Sequence, residues 1–276
     1  MAAPAIVPYK AAIFFDNDET QIRSVERYCN KQITLVKIPE STTGFIRFDT
    51  SPLSDYILGF EGNRYLEFAR TYLGLPDDHY DPLSGIQESH MDTARTWLET
   101  TSAVPRAAFF DWDRTISVFE GFLDLSHPKS KPFVEAVGFD LVLTDMITYI
   151  CGGIERRDAL RLFFNELVSA GVDLYVLTNN KVCGSDFYTQ VVKNLFGEIP
   201  VKIICGKMFG FEKGFALTKT PRMEQICEDV FLFGGYRRRS KNLTRRRRGA
   251  AARRQTWKSR TLGRRGARRA ARSNRR

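Results

Sequence analysis

The segment Phe109-Phe110-Asp111-Trp112-Asp113-Arg114-Thr115 constrains this chain more than any other. The apolar run from Ala107 to Phe110 reads as a buried strand. It ends abruptly in two aspartates spaced i, i+2, with a threonine two residues further on. A strand that delivers two carboxylates to its C-terminal edge puts charge where open α/β sheets bind ligands. Burying two like charges together is costly unless a cation or a reaction needs them.

Apolar runs and helical periodicities alternate on both sides of this segment. Upstream, Ile13-Phe14-Phe15 is a second short run ending in acids, Asp16-Asn17-Asp18-Glu19. Helical spacing (Ile22, Val25, Cys29) and a strand-like stretch, Ile33 to Ile38, follow it. Helices are expected near Tyr65 to Leu73 and at Met91 to Thr100. Downstream, Asp158 to Ser169 is amphipathic and reads as a helix. Val172 to Leu177 reads as a strand ending in Thr178-Asn179-Asn180. A helix (Phe187 to Phe196) and two strands (Val201 to Cys205, Val230 to Phe233) complete the body. Strands alternating with helices imply an α/β fold, a three-layer Rossmann-like core with a mostly parallel sheet. Between Ile116 and Val176 a helix and a further strand of that core are expected, which leaves room for only a small cap near Phe122 to Val137. Three segments result: residues 1–104, an N-terminal α/β segment able to complete the sheet; residues 105–235, the core; and residues 236–276, a tail.

Together these pieces resemble the haloacid dehalogenase-like (HAD-like) phosphohydrolase superfamily. Its first motif, an apolar strand followed by Asp-x-Asp-x-Thr, is matched by Asp111, Asp113 and Thr115. Its second, a strand ending in Thr or Ser, is matched by Thr178. Its third is a lysine further on, for which Lys213 is favoured over Lys207 and Lys219. The resemblance implies a Mg2+-dependent hydrolysis of a phosphorylated substrate. Asp111 is then the nucleophile that forms an aspartyl-phosphate, and Asp113 the general acid and base. Thr178, Asn179 and Lys213 hold the phosphoryl group. Magnesium, a hard oxygen-seeking cation, is assigned to Asp111 and Asp113 with the acids of a fourth motif. A small cap implies an open site, suited to a larger substrate.

The fourth motif is where the match fails. Val230 to Phe233 is the expected strand, but Gly234-Gly235 stand where acids belong. Three explanations compete. The N-terminal strand, ending in Asp16 and Asp18, supplies the missing acids in a circularly permuted order. Alternatively, the site is degenerate and the protein is a phosphate-binding or scaffold module. Finally, the tail is a segment read in a shifted frame, since acidic codons read one base early give arginine and glycine.

Charge supports a division at the tail. The formal net charge is +10, yet the stretch from Arg237 to Arg276 holds 19 of the 42 basic residues and no acid. The rest of the chain is acidic. Such a tail is expected to be disordered. It would bind nucleic acid nonspecifically by counterion release, or an anionic surface. No apolar run approaches the ~18 residues of a membrane span. The five cysteines are scattered, odd in number and without a CxxC pair. They read as reduced thiols of an intracellular protein, cytoplasmic or nuclear.

Overall fold

A computed structural model describes residues 6–29, 32–39, 84–118, 125, 131–180 and 182–227. The helix expected near Tyr65, most of the cap segment, the strand Val230 to Phe233 and the basic tail lie outside these residues.

The described chain is an α/β fold. Five parallel strands form one sheet in the order β2-β1-β3-β4-β5. They are β1 (Ala11–Asp16), β2 (Ile33–Lys37), β3 (Arg106–Phe110), β4 (Val172–Thr178) and β5 (Val201–Cys205). Every residue of β1 and β3 is buried. That fits interior strands of a sheet covered on both faces, where near-continuous apolar runs replace alternation. β1 and β2 belong to the same sheet as β3, β4 and β5, so no sheet boundary falls at residue 104.

Side-chain alternation along each strand sorts the core into two layers. Ile13, Phe15, Ala108, Phe110, Leu174 and Val176 face one side. There they meet α2 (Glu88–Thr100), α4 (Phe139–Ile150), α5 (Ile154–Ser169) and α6 (Asp186–Phe196). Stacked Phe15 and Phe110 rings, 4.7 Å apart, sit at the centre, with the edge of Phe163 against them. Ala12, Phe14, Ala107, Phe109, Tyr175 and Leu177 face the other side, towards α1 (Glu19–Tyr28) and a short α7 (Lys213–Thr218). The opposite faces for α1 and α6 follow from right-handed crossovers that leave β1 and β4 in opposite directions across the sheet.

Two expectations need correction. Among the described residues no strand lies between Ile116 and the start of β4 at Val172. The described part of that stretch forms α3 (Lys131–Val137), α4 and α5, and the sheet positions beside β3 are taken by β1 and β4. The thiols are not all reduced: Cys29–Cys227 and Cys183–Cys205 are disulfides, and Cys151 is a free thiol buried in the core. The bonded pairs are 198 and 22 residues apart. Spacing carries no trace of such pairs; only the fold brings them within bonding distance. Among the described residues no helix is long and apolar enough to cross a membrane.

Candidate active site

The chain runs outward from β1 to β2 in one direction and from β3 through β4 to β5 in the other. The switch point therefore lies between β1 and β3, where open α/β sheets bind ligands beyond their carboxyl ends. β1 and β3 pair with Phe15 level with Phe110, and the Asp111 N–H donates to the Phe15 carbonyl at 3.0 Å. Asp16 and Asp111 are the next residues of the two strands, so they stand side by side at this crevice. Alternation turns both away from the Phe15 layer, towards α1 and α7.

The Lys213 ammonium closes the gap between them. Its Nζ lies 2.7 Å from Asp16 Oδ2 and 2.6 Å from Asp111 Oδ1. All three are buried, Asp16 completely and Lys213 at 2 % exposure. Lys213 reaches this position because α7 is docked tightly on α1. Its backbone N–H donates to Gln21 Oε1 at 3.0 Å, and that of Gly214 to Ser24 Oγ at 3.2 Å. Tyr28 donates to Glu212 at 3.0 Å. Gly214 is the point of closest approach, where a Cβ would overlap the Ser24 carbonyl. Gly214→Ala is accordingly expected to push α7 off α1, lowering stability by about 1–3 kcal/mol and displacing Lys213. A thermal melt checks the first effect, and an assay of the reaction proposed below the second.

Burial sets the electrostatics. It raises the Asp16 pKa to about 7, with Lys213 pulling the other way and Asp111 adding to the rise. Burial likewise raises Asp111, again against Lys213 and with Asp113 adding to the rise. For Lys213 burial works against the charge, but the Asp111 and Asp16 carboxylates outweigh it and hold the pKa above the ordinary lysine range. Two buried carboxylates thus share one cation. The surplus negative charge is the kind of imbalance that a reaction or a metal ion uses.

Asp113 leaves β3 on a tight turn, Trp112–Ile116, with Arg114 in the left-handed region at φ 58°. Ser117 braces it: its hydroxyl donates to the Trp112 carbonyl at 3.0 Å and accepts from the Arg114 N–H at 3.3 Å. The turn carries Asp113 towards β4, where the Asn180 amide donates to its two oxygens at 3.2 and 3.4 Å. Thr115 is fully buried and its hydroxyl meets Asn17 Oδ1 at 3.5 Å, linking the loops after β1 and β3. Thr178, also buried, ends β4, and its hydroxyl accepts from the Asn180 N–H at 3.1 Å.

The structure therefore brings together Asp111, Lys213 and Asp16, with Asp113 two residues along the same turn. It does not bring in Asp18, whose carboxylate caps α1 by accepting from the Thr20 N–H at 2.7 Å. Asn179, read as a substrate ligand, donates to the Phe211 carbonyl at 3.1 Å and so ties β4 to the loop before Lys213. Lys207 lies in the turn after β5, and the Lys219 ammonium sits over the Phe215 ring, 5.2 Å from its centre. Sequence reasoning missed Asn180 and Gly214. Asn180 stood in the Thr-Asn-Asn triplet, but nothing there says which amide turns towards β3. Gly214 followed Lys213 directly, but only the packing of α7 on α1 gives it a role.

The four acids assigned to magnesium do not form one shell. Among the described residues no group of three or more His, Cys, Asp or Glu side chains is set to hold a metal. The donor chemistry nevertheless fits Mg2+. This ion takes one or two carboxylates and completes its shell with water and substrate phosphate. Asp16 and Asp111 are hard oxygen donors of this kind, with Lys213 on one oxygen of each and the Asp18 N–H on the other oxygen of Asp16 at 2.9 Å.

No protein-family model, curated protein or solved structure matches this chain.

Proposed function

We propose that this protein is a Mg2+-dependent phosphohydrolase of the HAD-like type, working through an aspartyl-phosphate on Asp111. The observation that carries the reading is the Lys213 bridge between Asp16 and Asp111 at the switch point of the sheet. It joins a first-motif carboxylate, a third-motif lysine and an acid at the tip of the strand beside them. In this reading β1 is the fourth-motif strand in permuted order, and Asp16 takes the place left empty by Gly234-Gly235.

The roles follow from position. Asp111 ends the central strand and is the residue best placed to attack phosphorus. Lys213 balances its charge at rest and the charge gathering on the phosphoryl oxygens later. Thr178, at the tip of the neighbouring strand, donates to one of those oxygens. Asp113 gives its proton to the leaving oxygen and then takes one from water. Mg2+, held by Asp16 and Asp111, would offset phosphate charge and orient the group for in-line displacement.

Phosphate release from p-nitrophenyl phosphate tests the reading. Release is expected only with Mg2+ present and is expected to stop when the ion is chelated. Absence of release in Mg2+ would overturn the hydrolase reading. Retained phosphate binding without turnover would instead identify a phosphate-binding module.

A further inference from the structure

We infer that Asn180 is a positioning residue for Asp113, holding its carboxyl group in place for proton transfer to the leaving group. The inference rests on the phosphohydrolase reading and adds a residue to it.

The Asn180 side chain has one orientation consistent with its surroundings. Its Oδ1 accepts from the Val182 N–H at 3.1 Å, so the NH2 end must turn to Asp113. The distances to the two Asp113 oxygens, 3.2 and 3.4 Å, make a forked contact. The backbone around it is held as firmly. The Asn180 N–H donates to Thr178 Oγ1 at 3.1 Å. The Asn180 carbonyl accepts from the Cys183 N–H at 3.2 Å. Cys183 is bonded to Cys205 at the end of β5, so the loop is tied to the sheet at both ends. An amide so restrained serves as a fixed donor aimed at one carboxyl group.

That donor has a defined task in the reaction. As the P–O bond breaks, its electron pair goes to the ester oxygen, and Asp113 passes its proton to that same oxygen. Asp113 is left as a carboxylate that the Asn180 amide stabilises through both oxygens. When water attacks phosphorus on Asp111, the Asp111–P bond breaks, its pair returns to the carboxylate, and Asp113 takes the water proton. Asn180 touches neither substrate nor phosphorus. It acts by holding the whole Asp113 carboxyl group in one place through a forked contact to both of its oxygens.

A positioning role makes a prediction that a purely structural role does not. A good leaving group, p-nitrophenolate, departs with little need of a proton, whereas phenolate needs one. Asn180→Ala is expected to lower kcat/KM on phenyl phosphate, which reports the step that expels the leaving group, by about 10²-fold, the usual weight of a positioned general acid. On p-nitrophenyl phosphate the loss in kcat/KM is expected to stay within about fivefold. Asn180→Leu, close to isosteric, removes the donor without setting a second carboxylate against Asp113. It is expected to show the same selective loss, and it answers the question if the alanine variant does not fold. Equal losses on the two esters, or none, would overturn the role of Asn180 while leaving the hydrolase reading intact. A wild-type protein that turns over neither ester overturns both.

Discussion

Asp111→Asn is expected to abolish phosphate release, with kcat falling by about 10⁴-fold or more, because an amide cannot serve as the attacking group. The substitution keeps volume and shape, so the fold is expected to persist. Its effect on stability is expected to run the other way. Burial raises the pKa values of both Asp16 and Asp111, which means that each charge is held at a cost. Removing one leaves Lys213 and Asp16 as a balanced pair 2.7 Å apart. The melting temperature at neutral pH is therefore expected to stay level or rise while activity disappears. A thermal melt beside the p-nitrophenyl phosphate assay reads both. An Asp111→Asn protein that melts normally and still turns over at the wild-type rate would remove Asp111 as nucleophile. A properly folded reactive centre that gains stability when its nucleophile is neutralised is the trade between stability and activity expected of functional sites.

Much of this arrangement was legible in the sequence, for identifiable reasons. β3 and β4 announced themselves as apolar runs, because central parallel strands are buried on both faces and need no alternation. Their ends were legible too, since charge cannot follow an apolar run into the core. Asp16, Asp111 and Thr178 are therefore found at strand tips. Lys213 could be ranked above Lys207 and Lys219 only through the resemblance; nothing local distinguishes it, and α7 is a mere 6 residues long. What was not legible depends on contacts between distant segments. The register that levels Asp16 with Asp111 joins strands some 95 residues apart, and the sequence offers no measure of it. The same holds for the Cys29–Cys227 and Cys183–Cys205 bonds, which were read as free thiols. It holds also for Asp18, where a capping role and a ligand role ask for the same residue type.

Lys213→Met is expected to be the most damaging single change to the folded state. The thioether side chain fills similar space but leaves Asp16 and Asp111 facing each other without a cation. Breaking a buried ion pair by removing one partner typically costs about 3–5 kcal/mol, and here one lysine serves two carboxylates. The loss depends on pH. A carboxyl group whose folded pKa is raised binds its proton more tightly in the folded state than in the unfolded chain. Its contribution to stability therefore falls as pH rises from the unfolded value towards the folded one. For Asp16 in the wild-type protein that window runs from about pH 4 to about pH 7. In the variant both carboxyls lose the pull of Lys213, so their pKa values climb further and the decline extends to higher pH. The stability deficit relative to wild type is expected to be small near about pH 5 and largest near about pH 8. Mg2+, able to replace the missing positive charge, is expected to recover part of the deficit at about pH 8 and little at about pH 5, where protons occupy the same oxygens. Turnover is expected to remain at least about 10²-fold down even with Mg2+, since the charge that Lys213 places on the phosphoryl oxygens is gone. Denaturant titrations at the two pH values, with and without the ion, measure all of these effects. A deficit independent of pH would mean that Lys213 acts through packing alone, and that Asp16 and Asp111 do not share its charge.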